Sequence, residues 1–180
     1  INEKLQTQGM DTDLFEDVVE LTSYAYYKWD EKEEEGYSDN TNIFANSDVI
    51  KLSDYNKVAE IYGLKQHTLA ADEYLVVSNY DYTLNMYNEQ YLQKGHVIRI
   101  GGKEYHPKYK TCQDGFLQMS SNRSESGFTV VPDDIPADEN LHPDCIYYIA
   151  NYDTNKKSVE EMDRLLNNKE FGKKTGIDVS

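Results

Sequence analysis

The chain has 180 residues, 38% hydrophobic and 12% aromatic, and carries 18 Lys+Arg against 33 Asp+Glu for a formal net charge of −15. That charge excludes nucleic acid as a partner, because a polyanion is bound through a basic footprint and no basic run is longer than the pairs Lys156-Lys157 and Lys173-Lys174. A length in the one-domain range and 16 tyrosines, whose rings bury while keeping a polar tip, exclude a disordered acidic tail and point to a folded, water-facing domain spanning 1–180.

Ile1 to Gln8 reads as the tail of a helix stopped by Gly9. Leu14, Val18, Leu21, Ala25 and Trp29 follow a helical stripe, but Val19 to Tyr27 is rich in β-branched and aromatic residues. The expectation is a short helix to Asp17 and then a strand to Lys28. Asp30 to Asn42, with Glu33-Glu34-Glu35-Gly36, is an exposed hairpin or loop. Ser53 is the expected N-cap of a helix with Val58, Ile61 and Tyr62 on one face and Gly63 as its stop. Tyr74 to Ser78 reads as a buried strand, and Asp81 to Leu92 has a weaker helical pattern.

Val97 to Ile100, Gly101-Gly102 and Lys103 to His106 predict a hairpin, since a two-residue primed turn demands positive φ at both central positions. Gly127 to Val131 and Cys145 to Ala150 are two further strands, the first stopped by Pro132 and Pro136. Ser158 and Glu161 form a capping box that opens a helix carrying Met162, Leu165 and Leu166. Helices and strands mix without a strict βαβ rhythm. The expected class is therefore α+β, a mixed or antiparallel sheet with a few short helices.

Chemistry-bearing spacings are scarce. No HExxH, CxxC, GxSxG, P-loop or GxGxxG occurs. Asp11-Thr12-Asp13 opens like a calcium loop, but Glu16 stands where that loop needs Gly and Thr22 where it needs the bidentate Glu. His142, beside Asp138, Glu139, Asp144 and Cys145, is the best metal candidate and a weak one, so no metal and no cofactor are expected. Cys112 and Cys145 are the two cysteines, and whether they pair stays open. The most suggestive patch is Tyr24, Tyr26 and Trp29 beside Glu33, Glu34 and Glu35: aromatic faces and carboxylates are what a cationic amphipathic ligand would meet favourably. No stretch approaches the ~20 apolar residues of a membrane span. A start at Ile1 suggests a piece of a longer protein.

Ile50-Lys51-Leu52-Ser53-Asp54-Tyr55-Asn56 resembles an "sl-S-x-Y-N" helix opening, and Leu69 to Asn79 an "L-x-x-x-E-Y-x-x-V-x-N" stretch. The Val97 to Tyr105 hairpin with Phe128 to Asp133 is similar to an "i-x-g-k-x-Y … x-v-V-P-D" close. Together, across Ile50 to Asp133, these resemble the extracellular domain of FtsX-like ABC transporter permeases, most of all the bacitracin-export (BceB-like) type. The tyrosine richness and the cysteines depart from that pattern.

The resemblance implies a domain on the extracellular face of a bacterial membrane, inserted between two membrane helices that the terminal helices lead toward. It implies a separate ATPase subunit, in some systems a membrane sensor histidine kinase, and the handling of antimicrobial peptides or lipid-linked cell-wall precursors. It carries no catalytic residue to this domain, and no enzyme is expected. Two rivals stand beside it. One is a single-anchor extracellular binding or adhesion module with a tyrosine-rich surface. The other is a hydrolase with an unrecognised site around His106, Cys112 or His142.

Overall fold

The computed structural model describes residues 3, 15–26, 48–77, 97–108, 128–152 and 156–166. The chain divides into two compact units, Ile1–Val18 with Ile149–Ser180, and Val19–Tyr148. The elements, in order, are β1 (Phe15–Tyr26), β2 (Asp48–Lys51), α1 (Leu52–Ile61), β3 (Glu73–Val77), β4 (Ile98–Ile100), β5 (Lys103–Pro107), β6 (Phe128–Val131), β7 (Leu141–Tyr152) and α2 (Lys156–Leu166). The seven strands form one sheet in the order β4-β5-β3-β6-β2-β1-β7. The sheet is mixed: β2 with β6 and β3 with β5 run parallel, while β1 with β2, β3 with β6 and β4 with β5 run antiparallel. With two short helices among the described residues this is an α+β fold, as the mixed element order predicts.

The register sorts side chains onto two faces. Tyr24 lies opposite Val49, Val49 opposite Thr129, and Thr129 opposite Val76, so these four share one face. On that face Val49, Tyr74, Val76, Ile98, Ile100, Tyr105 and Val131 form a fully buried cluster, with Tyr24, Ile135 and Leu141 packed against it. β4 and β7 stand at opposite ends of the strand order, yet Ile98, Ile100 and Leu141 meet at this cluster. The other face presents Ile50, Leu75, Val77, Phe128 and Val130, all buried. The α1 helix lies against β2 and β6 and buries Tyr55, Val58 and Ala59. Strands β3 and β6 are thus covered on both faces, which is why their sequences read as unbroken apolar runs.

Local signals explain most boundaries. Gly101 and Gly102 take φ of 54° and 78°, the primed turn the Gly-Gly pair predicts. Strand β6 ends at Val131, immediately before Pro132. The helix α1 ends in a Schellman motif: the Gly63 amide donates to Glu60 O at 3.1 Å and the Leu64 amide to Ala59 O at 2.7 Å.

Four expectations are corrected. Residues 15–17 belong to β1 rather than to a helix. Leu21, Ser23 and Ala25 are buried at alternate positions, a period that pairing with β2 enforces over the helical stripe. Asp17, at φ 49°, sits in the left-handed region where a short polar side chain is tolerated. Ser53 is not the N-cap; Lys51 holds that position without a side-chain cap bond. The buried face of α1 runs through Tyr55, Val58 and Ala59, leaving Tyr62 exposed. Helix α2 begins at Lys156, two residues before the expected capping box, and Glu161 pairs with Arg164 at 2.6 Å within the helix.

The expected helices at Ile1 to Gln8 and Asp81 to Leu92 and the loop Asp30 to Asn42 lie outside the described residues, Glu3 apart. Among the described residues no helix is long and apolar enough to cross a membrane.

Candidate functional site

Chemistry-bearing side chains converge at one place on the α1-covered face, where β1, β2 and β7 run side by side. Ser23 on β1 is fully buried, because Tyr24 pairs with Val49 and its neighbour must point the other way. The Ser23 hydroxyl donates to Asp48 Oδ2 at 3.0 Å. Tyr147 on β7 reaches the same pair, hydrogen-bonded to Ser23 and to Cys145, with its ring edge-on to Phe128 at 6.3 Å between centroids. Burial, the bond to Cys145 and the charge of Asp48 push the Tyr147 phenol far above its ordinary range, against the opposing bond from Ser23.

This cluster braces three strands. Ser23 commits its hydroxyl to the Asp48 carboxylate. Cys145 is a half-buried free thiol, so it forms no disulfide, and Cys112 lies outside the described residues. No spacing in the sequence marks the cluster. Ser23, Asp48 and Tyr147 come together through strand order alone, and only a polar residue at Ser23 in step with Leu21 and Ala25 could have hinted at it.

The binding patch predicted from tyrosines and glutamates is mostly outside the described residues: Trp29, Glu33, Glu34 and Glu35 are not described, nor is the side chain of Tyr26. Tyr24 is half-buried and packs on the core cluster, which gives its ring a structural task. For the metal candidate, no group of three or more His, Cys, Asp or Glu side chains that could hold an ion occurs among the described residues. Asp138 instead accepts hydrogen bonds from the Gly101 amide at 2.7 Å and from the Asn140 amide at 2.9 Å. His106 and His142 are both exposed, on β5 and at the start of β7.

The motif residues have defined structural tasks. Asn56 clamps the backbone of His67, donating Nδ2 to its carbonyl at 2.9 Å and accepting its amide on Oδ1 at 2.8 Å. Tyr55 is buried and its ring lies 5.6 Å from that of His67. Glu73 accepts the Ala70 amide at 2.7 Å and pairs with Lys108 at 3.4 Å, while Lys108 also donates to the Thr68 carbonyl. Tyr74 is fully buried in the core cluster. Asp133 accepts the Ser53 amide at 2.9 Å and so caps α1 from a distant loop. Comparison with family models, with curated proteins and with solved structures finds no match to this chain.

Proposed function

We propose that this chain is a non-catalytic sensing and binding domain on the extracellular face of the cell membrane, part of an FtsX-like ABC transporter permease. Its ATPase is a separate subunit, and a membrane sensor histidine kinase is a second partner. Its ligand is an antimicrobial peptide or a lipid-linked cell-wall precursor. The observation that carries the reading is the bond between Ser53 and Asp133, which joins the first and last motifs of the resemblance into one folded unit. Motif residues that clamp, cap and fill the core are signatures of a scaffold, and they supply no reacting group.

A second observation supports insertion between membrane helices. The strands through which the chain enters and leaves the sheet, β1 and β7, are hydrogen-bonded neighbours. Residues 1–18 and 149–180 also fall in one compact unit, as an insertion requires. The net charge of −15 favours a cationic ligand through long-range attraction.

Calorimetric titration tests the reading, with a cationic antimicrobial peptide, bacitracin, a lipid-linked precursor and a neutral control peptide. Binding that persists in about 0.3 M salt and is lost in Tyr26→Ala, Trp29→Ala is the expected result. Binding that disappears with salt reduces to charge attraction alone. No binding to any of the four removes recognition from this domain.

A further inference from the structure

Residues 132–140 join β6 to β7 and are clasped at two exposed points. Near one end Asp133 Oδ1 accepts the Ser53 amide at 2.9 Å, and near the other Asp138 Oδ2 accepts the Gly101 amide at 2.7 Å. Between the clasps, Ile135 rests on the buried cluster, and Pro136 and Ala137 sit against Gly101. Asp133, Asp134, Ala137 and Glu139 face solvent. A segment with few buried side chains and solvent-facing hydrogen bonds opens at a lower free energy than the sheet it covers.

The cluster under Ile135 contains an anomaly. Tyr105 is fully buried, yet its hydroxyl has no hydrogen-bond partner among the described residues. Lys103 Nζ stands over the ring at 4.9 Å, and the charge of Asp134, on the strap itself, acts on the phenol. A buried hydroxyl without a partner raises the energy of the closed form, and access to water removes that cost.

We propose that residues 132–140 are a strap that opens as a unit from an intact sheet and gives the Tyr105 hydroxyl a partner from solvent. Opening gives up two carboxylate–amide bonds and the burial of Ile135. It returns both carboxylates, both amides and the Tyr105 hydroxyl to water. The two forms therefore differ by a small number of contacts that sit on one connection, and the sheet hydrogen bonds are common to both.

Amide hydrogen exchange on the 180-residue chain tests this, because a unit opening couples the two clasps. Asp138→Ala is expected to speed exchange at Ser53, which Asp138 does not touch, by about tenfold, and Asp133→Ala to do the same at Gly101. Amides of β3 and β6 should be unchanged. If each substitution frees only its own amide partner, or if β3 and β6 accelerate equally, the proposal is overturned. Tyr105→Phe supplies an independent check that does not loosen the clasps. Removing the orphan hydroxyl should slow exchange at Ser53 and Leu141 by about fivefold, and unchanged or faster exchange there also overturns the proposal.

Discussion

The Asp133 carboxylate accepts the Ser53 amide at 2.9 Å across 80 residues of sequence, so the first turn of α1 is capped by the loop that follows the central strand β6. The cap secures the helix and the loop to each other. Asp133→Ala should lower stability by about 1–2 kcal/mol, whereas Ser53→Ala, which removes the hydroxyl's bond to Asp133 but keeps the capped amide, should cost about 0.5 kcal/mol. Urea titration with an unchanged slope would read both values. An equal or larger loss for Ser53→Ala would restore to Ser53 the capping role its position suggests.

The two glycines of the β4–β5 turn make unequal demands. Both have positive φ, but a Cβ on Gly101 would lie 2.5 Å from Ala137 O and 2.9 Å from Pro136 Cβ, while one on Gly102 would meet nothing within 4 Å. Gly102→Ala carries only the left-handed backbone penalty, about 1 kcal/mol. Gly101→Ala adds a backbone clash and should cost roughly 2–4 kcal/mol. Thermal unfolding of the pair measures the difference.

Acid should weaken the same connection. Partial burial pulls Asp133 upward, but its bonds from Ser53 and the charges of Lys51 and Lys57 outweigh this and hold it below the usual carboxylate range. Burial acts likewise on Asp138, and the bonds from Gly101 and Asn140 with the charge of His142 prevail. Carboxylates depressed in the folded state contribute stability that is complete above the unfolded value of about 3.9 and lost as pH falls through the lower folded value. At the Asp133 end, Asp54 opposes this, its own carboxyl raised by burial against the pull of Lys57 and Lys51. The double variant Asp133→Asn, Asp138→Asn should therefore flatten the acid limb of the stability curve below about pH 4. Equilibrium unfolding at pH 7 and pH 3 is the measurement, and parallel curves for the two proteins would contradict the linkage.

What was legible in the sequence was local. The Gly-Gly turn, the Gly63 stop and the apolar runs of β3 and β6 each depend on a few adjacent residues, and each lies where the pattern puts it. The helical stripe through Val18, Leu21 and Ala25 misled at Phe15 to Asp17, which continue a 12-residue strand whose place between β2 and β7 no local window contains. The cap at Ser53 was misassigned for the same kind of reason, since its acceptor is 80 residues away. The Ser23, Asp48 and Tyr147 brace depends wholly on strand order. Of the predicted binding patch, only Tyr24 has a described side chain, and its ring belongs to the core.

Asn56 gives a sharper test of whether the motif residues are scaffold. Asn56→Asp keeps the acceptor for the His67 amide but removes the Nδ2 donor to the His67 carbonyl. A loss of about 1–3 kcal/mol is expected in denaturant titration. Ligand affinity, measured well below the unfolding midpoint, should be unaffected. A large affinity change at unchanged stability would move Asn56 from scaffold to recognition.

Strand β6 stands between β2 and β3 in the sheet although it follows both in the chain. During synthesis, β2, α1 and β3 emerge with their future neighbour still unmade, and the interval lasts until residue 128 is exposed. The nascent domain thus carries two apolar strands in waiting, open to mispairing and to capture by chaperones. Assembly of the sheet centre is then a late insertion event, slowed by the parallel β2–β6 pairing that spans the same stretch.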